Sequence, residues 1–228
     1  MLPEYLSAFE ASGLYKGEPV AQFELGDYRN FIYLILDWKE KKAAIVDPQS
    51  DLERPLNSLR ENGFTLDGVF LTHTHHDHIA GVPKLVESFQ GIPIYVHPID
   101  AKRLHAKFLS SVHPLSDEET VKVGSLSIRV MHTPGHSAGE CCYYFERGGK
   151  YVFTGDTLFI RDCGRTDFED GSNDQMFESL QRIKTLPPET IILPGHHYAK
   201  ECASELSREI IESAPLRCKS VADLAALP

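Results

Sequence analysis

Apolar residues in this chain fall into short runs divided by glycine, proline and aspartate, and the spacing within the runs changes along the sequence. Segments 20–25, 30–37 and 43–46 are dense in aliphatic and aromatic residues and predict strands. A helical period over 51–61 follows, ending near Gly63, a residue suited to close a helix. A strand over 69–72 comes next, then helical stretches around 82–89 and 101–108 that bracket a strand at 94–97. Strands are again predicted at 127–131, 141–145 and 151–153, then a helix over 174–185 and a last strand at 191–193. The order strands, helices, strands, helices predicts an α/β (α+β) chain built as a four-layer αβ/βα sandwich, two sheets face to face with helices outside. A strictly alternating doubly wound sheet fits it less well. Segment 201–212 reads as helical, so the chain is expected to be one domain over 1–228 with a short helical tail from about 199.

At 228 residues, 42% hydrophobic and 25% charged, the chain has the composition of a globular protein with one sizeable core. A net charge of −10 without clustered Lys or Arg excludes broad binding to nucleic acid. No apolar stretch approaches the ~20 residues of a membrane span. The opening Met1-Leu2-Pro3-Glu4-Tyr5 has neither a basic leader nor an apolar core, and a cytoplasmic location is expected. The five cysteines, Cys141, Cys142, Cys163, Cys202 and Cys218, lack Cys-x-x-Cys spacing and are expected to be free thiols. Strand alternation would turn Cys141 and Cys142 to opposite faces, with at least one buried.

The chemistry concentrates at Thr72-His73-Thr74-His75-His76-Asp77-His78, a His-x-His-x-Asp-His pattern directly after a predicted strand. One histidine is more often a surface or core residue than a ligand, but four donors at this spacing point to a metal ion. Three further strand ends carry metal-type residues after a glycine: His136 in Pro134-Gly135-His136, Asp156 in Gly155-Asp156-Thr157, and His196 in Pro194-Gly195-His196. A glycine there allows a tight turn and leaves no side chain between the backbone and the donor. Taken singly, each of these tripeptides reads as a turn.

Together these residues resemble the metallo-β-lactamase superfamily from about Phe23 to Tyr198. The resemblance implies the sandwich fold with a metal site at one edge. In dinuclear hydrolases of the family, the positions of His73, His75 and His136 hold one metal and those of Asp77, His78 and His196 a second. Asp156 matches the residue that bridges them. The stretch Cys163-Gly164-Arg165-Thr166-Asp167-Phe168 resembles the glutathione-dependent persulfide dioxygenases, the group of the ethylmalonic encephalopathy protein. That resemblance implies oxidation of glutathione persulfide by O2 to sulfite and glutathione at one Fe(II) held by His73, His136 and Asp156. His75, Asp77, His78 and His196 would then orient ligands or manage protons.

The alternative is a hydroxyacylglutathione hydrolase of the glyoxalase II type with two Zn, Fe or Mn ions. Pro194-Gly195-His196-His197-Tyr198 is closer to the hydrolases, since dioxygenases carry Pro-Ala-His-Asp-Tyr and a small residue where His76 stands. Larger glyoxalase II enzymes also have a helical C-terminal domain for which about 30 residues leave no room. Under both readings Arg165 takes a position that contacts glutathione, and Tyr198 could line the cleft or merely pack. The partner is then glutathione persulfide or another glutathione conjugate, without nucleic acid or membrane, and a homodimer is compatible with the chain. An exported β-lactamase, a nuclease and a non-catalytic metal-binding module fit less well. His97, His105, His113 and His132 are not assigned to the site; the first three read as surface or cap residues, His197 as pointing away from the site, and Cys163 as support for the Arg165 loop.

Overall fold

The computed structural model describes residues 12–227, so Met1 to Tyr5 lie outside the described residues. Two mixed sheets face each other. The first runs in spatial order β1 (Ser12–Gly13), β2 (Val20–Leu25), β3 (Asn30–Asp37), β4 (Lys42–Val46), β5 (Thr65–Phe70), β6 (Ile94–Val96) and β7 (Val112–Pro114). The second runs in the reverse of chain order, from β13 (Ser204–Glu205) through β12 (Ile191–Pro194), β11 (Lys150–Gly155), β10 (Cys141–Glu146) and β9 (Leu126–His132) to β8 (Thr120–Val123). Helices α1 (Glu53–Glu61), α2 (His76–Ile79), α3 (Val82–Ser88) and α4 (Pro98–Ala101) follow strands of the first sheet. Helices α5 (Asn173–Ile183), α6 (Leu206–Glu212), α7 (Ala214–Arg217) and α8 (Val221–Ala225) accompany the second. This is the αβ/βα sandwich expected from the order of elements.

Both faces of each sheet are covered, which explains why the strands read as continuous apolar runs. In β3, Phe31, Tyr33 and Ile35 enter the core between the sheets, while Ile32, Leu34 and Leu36 face the outer helices. Cys141 and Cys142 alternate likewise, Cys141 between the sheets and Cys142 toward the helices, and both are fully buried. Ring pairs Tyr33–Phe153 and Phe70–Tyr143, each with centroids 5.0 Å apart, join the sheets. Each such side chain withdrawn from water contributes roughly 1.5–3 kcal/mol, giving the loops above a rigid base.

Helix α5 shows how one outer layer attaches. Ser172 caps it by accepting the Gln175 N–H, and Met176, Leu180 and Ile183 form its buried stripe.

Three expectations shift. Segment 201–212 is not wholly helical, because Ser204–Glu205 extends the second sheet by pairing with Ile191 and Ile192 before α6 begins. Beyond it, Leu206, Leu216 and Leu224 are buried in the second sheet's helix layer. Segment 101–108 is broken, since the His105 side chain accepts the Lys107 N–H and starts a separate 3-10 turn over Ala106–Ser111. β5 begins at Thr65 rather than 69, where its polar start is held by the Lys42–Asp67 ion pair. β1, β7, β8, α2, α7 and α8 had no counterpart in the sequence reading.

Candidate metal centre

Four strand ends deliver the donors to one edge of the sandwich. The chain leaves β5 through Leu71 and Thr72, stays extended through His75, then turns into the single helical turn of α2. That change of conformation divides the run, with His73 and His75 before the turn and Asp77 and His78 on it. His136 follows β9, Asp156 follows β11, and His196 follows β12 while pairing with Asn30 at the start of β3. Gly155 and Gly195 are needed for this convergence: a Cβ on Gly155 would stand 2.5 Å from Thr72 Oγ1, and one on Gly195 2.5 Å from Asp156 Oδ1.

Among the described residues three donor groups result, each with one ligand atom per residue and all three atoms within 4.8 Å: His73, His75 and His136 in the first, Asp77, His78 and His196 in the second, and Asp47 with His73 and His78 in a third that shares its two histidines with the other two. Asp156 lies between the first two. Its Oδ2 is 3.4 Å from His136 Nε2 and 3.4 Å from His196 Nε2, and its Oδ1 is 3.5 Å from His78 Nε2. The sequence-derived metal residues His73, His136 and Asp156 are thus brought together, and His75, Asp77, His78 and His196 join them.

The far side of each ring is fixed. His136 Nδ1 donates to the Arg165 carbonyl at 2.8 Å, His196 Nδ1 to the Tyr28 carbonyl at 2.9 Å, and His78 Nδ1 to Asp47 at 3.0 Å. Thr72 Oγ1 gives its proton to Asp47 Oδ2 at 2.6 Å, so it accepts from His73 Nδ1 at 3.1 Å. In all four, Nε2 is the nitrogen left to face the centre, the usual arrangement of metal-binding imidazoles. Asn30 Nδ2 donates to Asp77 Oδ2 at 2.9 Å. Asp100 accepts the Thr74 N–H at 2.9 Å and the Ser137 hydroxyl at 3.4 Å, tying the 73–75 loop to the loop after His136.

Charge and spacing both fit a cation. Burial, with neighbouring imidazoles, holds His73 well below the ordinary histidine range and takes His75 down to about 4, so both keep a free lone pair. Burial opposes charge on His78 as well, yet Asp156, Asp47 and Asp77 raise it to about 9. Burial would push Asp156 up, but His78 and the other imidazoles hold it far below the usual carboxylate range. His73 Nε2 and Asp156 Oδ1 are buried and form no hydrogen bond. Four-coordinate zinc, with Zn–N near 2.0–2.1 Å, spaces its donors roughly 3.3 Å apart. His75 Nδ1 and His136 Nε2 are 2.9 Å apart, and His78 Nε2 and His196 Nε2 are 3.2 Å apart.

A cleft of 530 Å³ opens over the centre, walled by Tyr28, Phe159, Phe168 and Tyr198. Tyr198 lies parallel to His196, ring centroids 4.7 Å apart, and burial with Asp156 and Asp77 nearby raises its hydroxyl to about 12. Phe168 packs on His75 and His136 at 4.9 and 5.2 Å. Arg165 lines the cleft, but its guanidinium is closed on Asp167 by bonds of 2.5 and 2.6 Å, and its carbonyl is what reaches His136. A larger hollow of 850 Å³ beside the β10–β11 turn is lined by no histidine or cysteine.

Of the other histidines, His76 lines the cleft with its ring edge against Tyr28, and the rest lie elsewhere. His97 and His105 accept backbone N–H groups at helix starts, His113 packs on Tyr95, and His132 stacks on His97. His197 turns to Glu24 and Arg29. Burial pushes the Cys163 thiol up to about 12, which disfavours a reactive thiolate. Reading the sequence missed Asn30, Asp47 and Tyr28. Asp47 carried a signal, an acidic residue at a strand end before Pro48, whereas a carbonyl contact such as that of Tyr28 carries none.

The metallo-beta-lactamase superfamily model matches residues 25–196. Over 189 residues the chain is 34% identical to the "Probable polyketide biosynthesis zinc-dependent hydrolase PksB" of Bacillus subtilis (strain 168), covering 82% of this chain and 80% of that protein. Its fold matches ETHE1 from Myxococcus xanthus with a TM-score of 0.79 and 31% identity, covering 92% of each chain. It also matches TTHA1623 in a di-iron-bound form with a TM-score of 0.70 and 29% identity, covering 84% of this chain and 98% of that one.

Proposed function

Because the chain belongs to the metallo-beta-lactamase superfamily, we propose that it is a metal-dependent hydrolase that cleaves acyl thioesters at a two-ion centre. The observation that carries the two-ion part of this reading is the equal completeness of the two donor groups. Asp77, His78 and His196 are as closely gathered, and as firmly held from behind, as His73, His75 and His136. The likeness to a protein named as a zinc-dependent hydrolase supports the same reading, as does the likeness to one solved with two irons.

When bound, the ions would supply Lewis acidity and a strongly acidified water as nucleophile near neutral pH. The protein's own part is placement. Asp156 presents its oxygens to both donor groups, Asn30 turns Asp77 toward the second, and the carbonyls of Tyr28 and Arg165 hold two imidazoles in one orientation. The aromatic walls Tyr28, Phe159, Phe168 and Tyr198 offer apolar surface against which an acyl chain and its sulfur would pack beside the centre. Glutathione thioesters, lactoylglutathione first, are the substrates to assay.

A second reading, persulfide dioxygenase with one Fe(II) on His73, His136 and Asp156, is favoured by the 163–168 stretch and the likeness to ETHE1. It ranks second because contacts within the site account for much of that stretch: Arg165 and Phe168 brace His136 and His75. Parallel assays separate the two. Loss of the lactoylglutathione thioester absorbance without oxygen uptake on glutathione persulfide supports the hydrolase. Oxygen uptake with sulfite formation, and an intact thioester, overturns it.

A further inference from the structure

Glu140, one residue before β10, is wholly buried yet is not among the seven donors. Its Oε1 accepts the Asp156 N–H at 2.7 Å and stands 3.6 Å from His73 Nδ1, while Oε2 is buried and forms no hydrogen bond. Among the described residues, His73 is its one ion-pair neighbour, and no lysine or arginine reaches it. Burying a carboxylate without a counter-charge is strongly unfavourable. The nearest group that can be neutral donor and cation carrier at once is His73 with an ion on its far nitrogen.

We infer that Glu140 is a positioning residue for the metal centre, acting on two ligands at once. Through His73 Nδ1 it favours the tautomer that leaves Nε2 for the ion, together with the Thr72 hydroxyl. Through the Asp156 N–H it fixes the backbone from which that carboxylate reaches both donor groups. Asp47 plays the matching part in the second group, accepting from His78 Nδ1 at 3.0 Å. The packing is built around Glu140: a Cβ on Gly155 would stand 2.8 Å from its Oε1.

The inference rests on the centre holding metal but not on thioester hydrolysis, since His73 and Asp156 belong to the ligand set of either reading. The test takes metal-loaded Glu140→Gln and Glu140→Ala, challenges them with a chromophoric chelator, and records the Co(II) absorption of each. Glu140→Gln should release metal with about tenfold weaker affinity, and Glu140→Ala up to about 100-fold. Both should show an altered Co(II) spectrum. Stripped Glu140→Gln should melt no lower than the stripped parent, because it no longer buries an uncompensated carboxylate. Wild-type affinity and spectrum in the Gln variant would overturn the inference, and so would a lower melting temperature of the stripped protein with unchanged affinity. If Glu140→Ala does not fold, the Gln variant decides alone.

Discussion

The two donor groups differ in what holds them. The first, His73, His75 and His136, is three imidazoles, braced by the 163–168 loop through the Arg165 carbonyl and the Phe168 ring. The second, Asp77, His78 and His196, includes a carboxylate and is braced by the β2–β3 turn through the Tyr28 carbonyl and Asn30. One brace comes from the first sheet and the other from the loop between β11 and α5, so each half of the sandwich carries part of the centre. The difference in charge teaches that the groups are not interchangeable: the second presents a formal negative charge of its own, while the first depends on Asp156 and on the carboxylate behind His73. Asp156, shared by both, is what makes them one site.

The strongest challenge to that comparison is Asp156→Ala. It should release metal from both groups and remove activity well beyond the about 10–100-fold loss expected for a supporting hydrogen bond, as read by metal content and turnover. Next come His75→Ala and Asp77→Ala, which should each lower metal content by one ion per chain; a loss of both ions from either variant would show the groups to be inseparable. Asn30→Ala should weaken metal binding by about tenfold at the second group alone, measured by chelator competition. Arg165→Ala removes the guanidinium, which is closed on Asp167, but not the carbonyl that holds His136, so it should leave metal content and kcat nearly unchanged, and a rise of about tenfold in KM for a glutathione thioester would show that the guanidinium leaves Asp167 for the substrate.

The smallest effect on the centre is expected at the opposite end of β3. Asp37 accepts the Ser125 N–H and hydroxyl, each at 2.6 Å, and the Lys39 N–H at 3.0 Å. Burial raises its pKa, but these bonds outweigh burial and hold it below the ordinary carboxylate range. A depressed folded pKa contributes stability above the unfolded value, lost as pH falls through the folded one. Asp37→Ala should therefore destabilise by about 1–3 kcal/mol near neutral pH and leave metal content unchanged, as followed by denaturant melts.

Much of the centre was legible because its ligands are chemically unusual and lie at strand ends. His73 to His78 announces itself by composition, and Gly155-Asp156 and Gly195-His196 by a glycine with a steric reason. The sheets were legible from apolar runs such as 30–37, buried on both faces. What escaped has physical causes. β13 is only two residues long and takes its conformation from pairing with β12, which local sequence does not encode. The Tyr28 and Arg165 carbonyls act through backbone, which every residue has. Glu140 stands beside two apolar cysteines where the sequence offers no sign that its side chain turns inward to Asp156. Arg165 illustrates the converse: the sequence presents a free guanidinium, and the structure closes it on Asp167.

The account turns on both donor groups holding an ion. Stripped protein titrated with zinc, with thioester cleavage followed at each addition, should bind two equivalents per chain and reach full activity only as the second binds. Saturation and full activity at a single equivalent would contradict it.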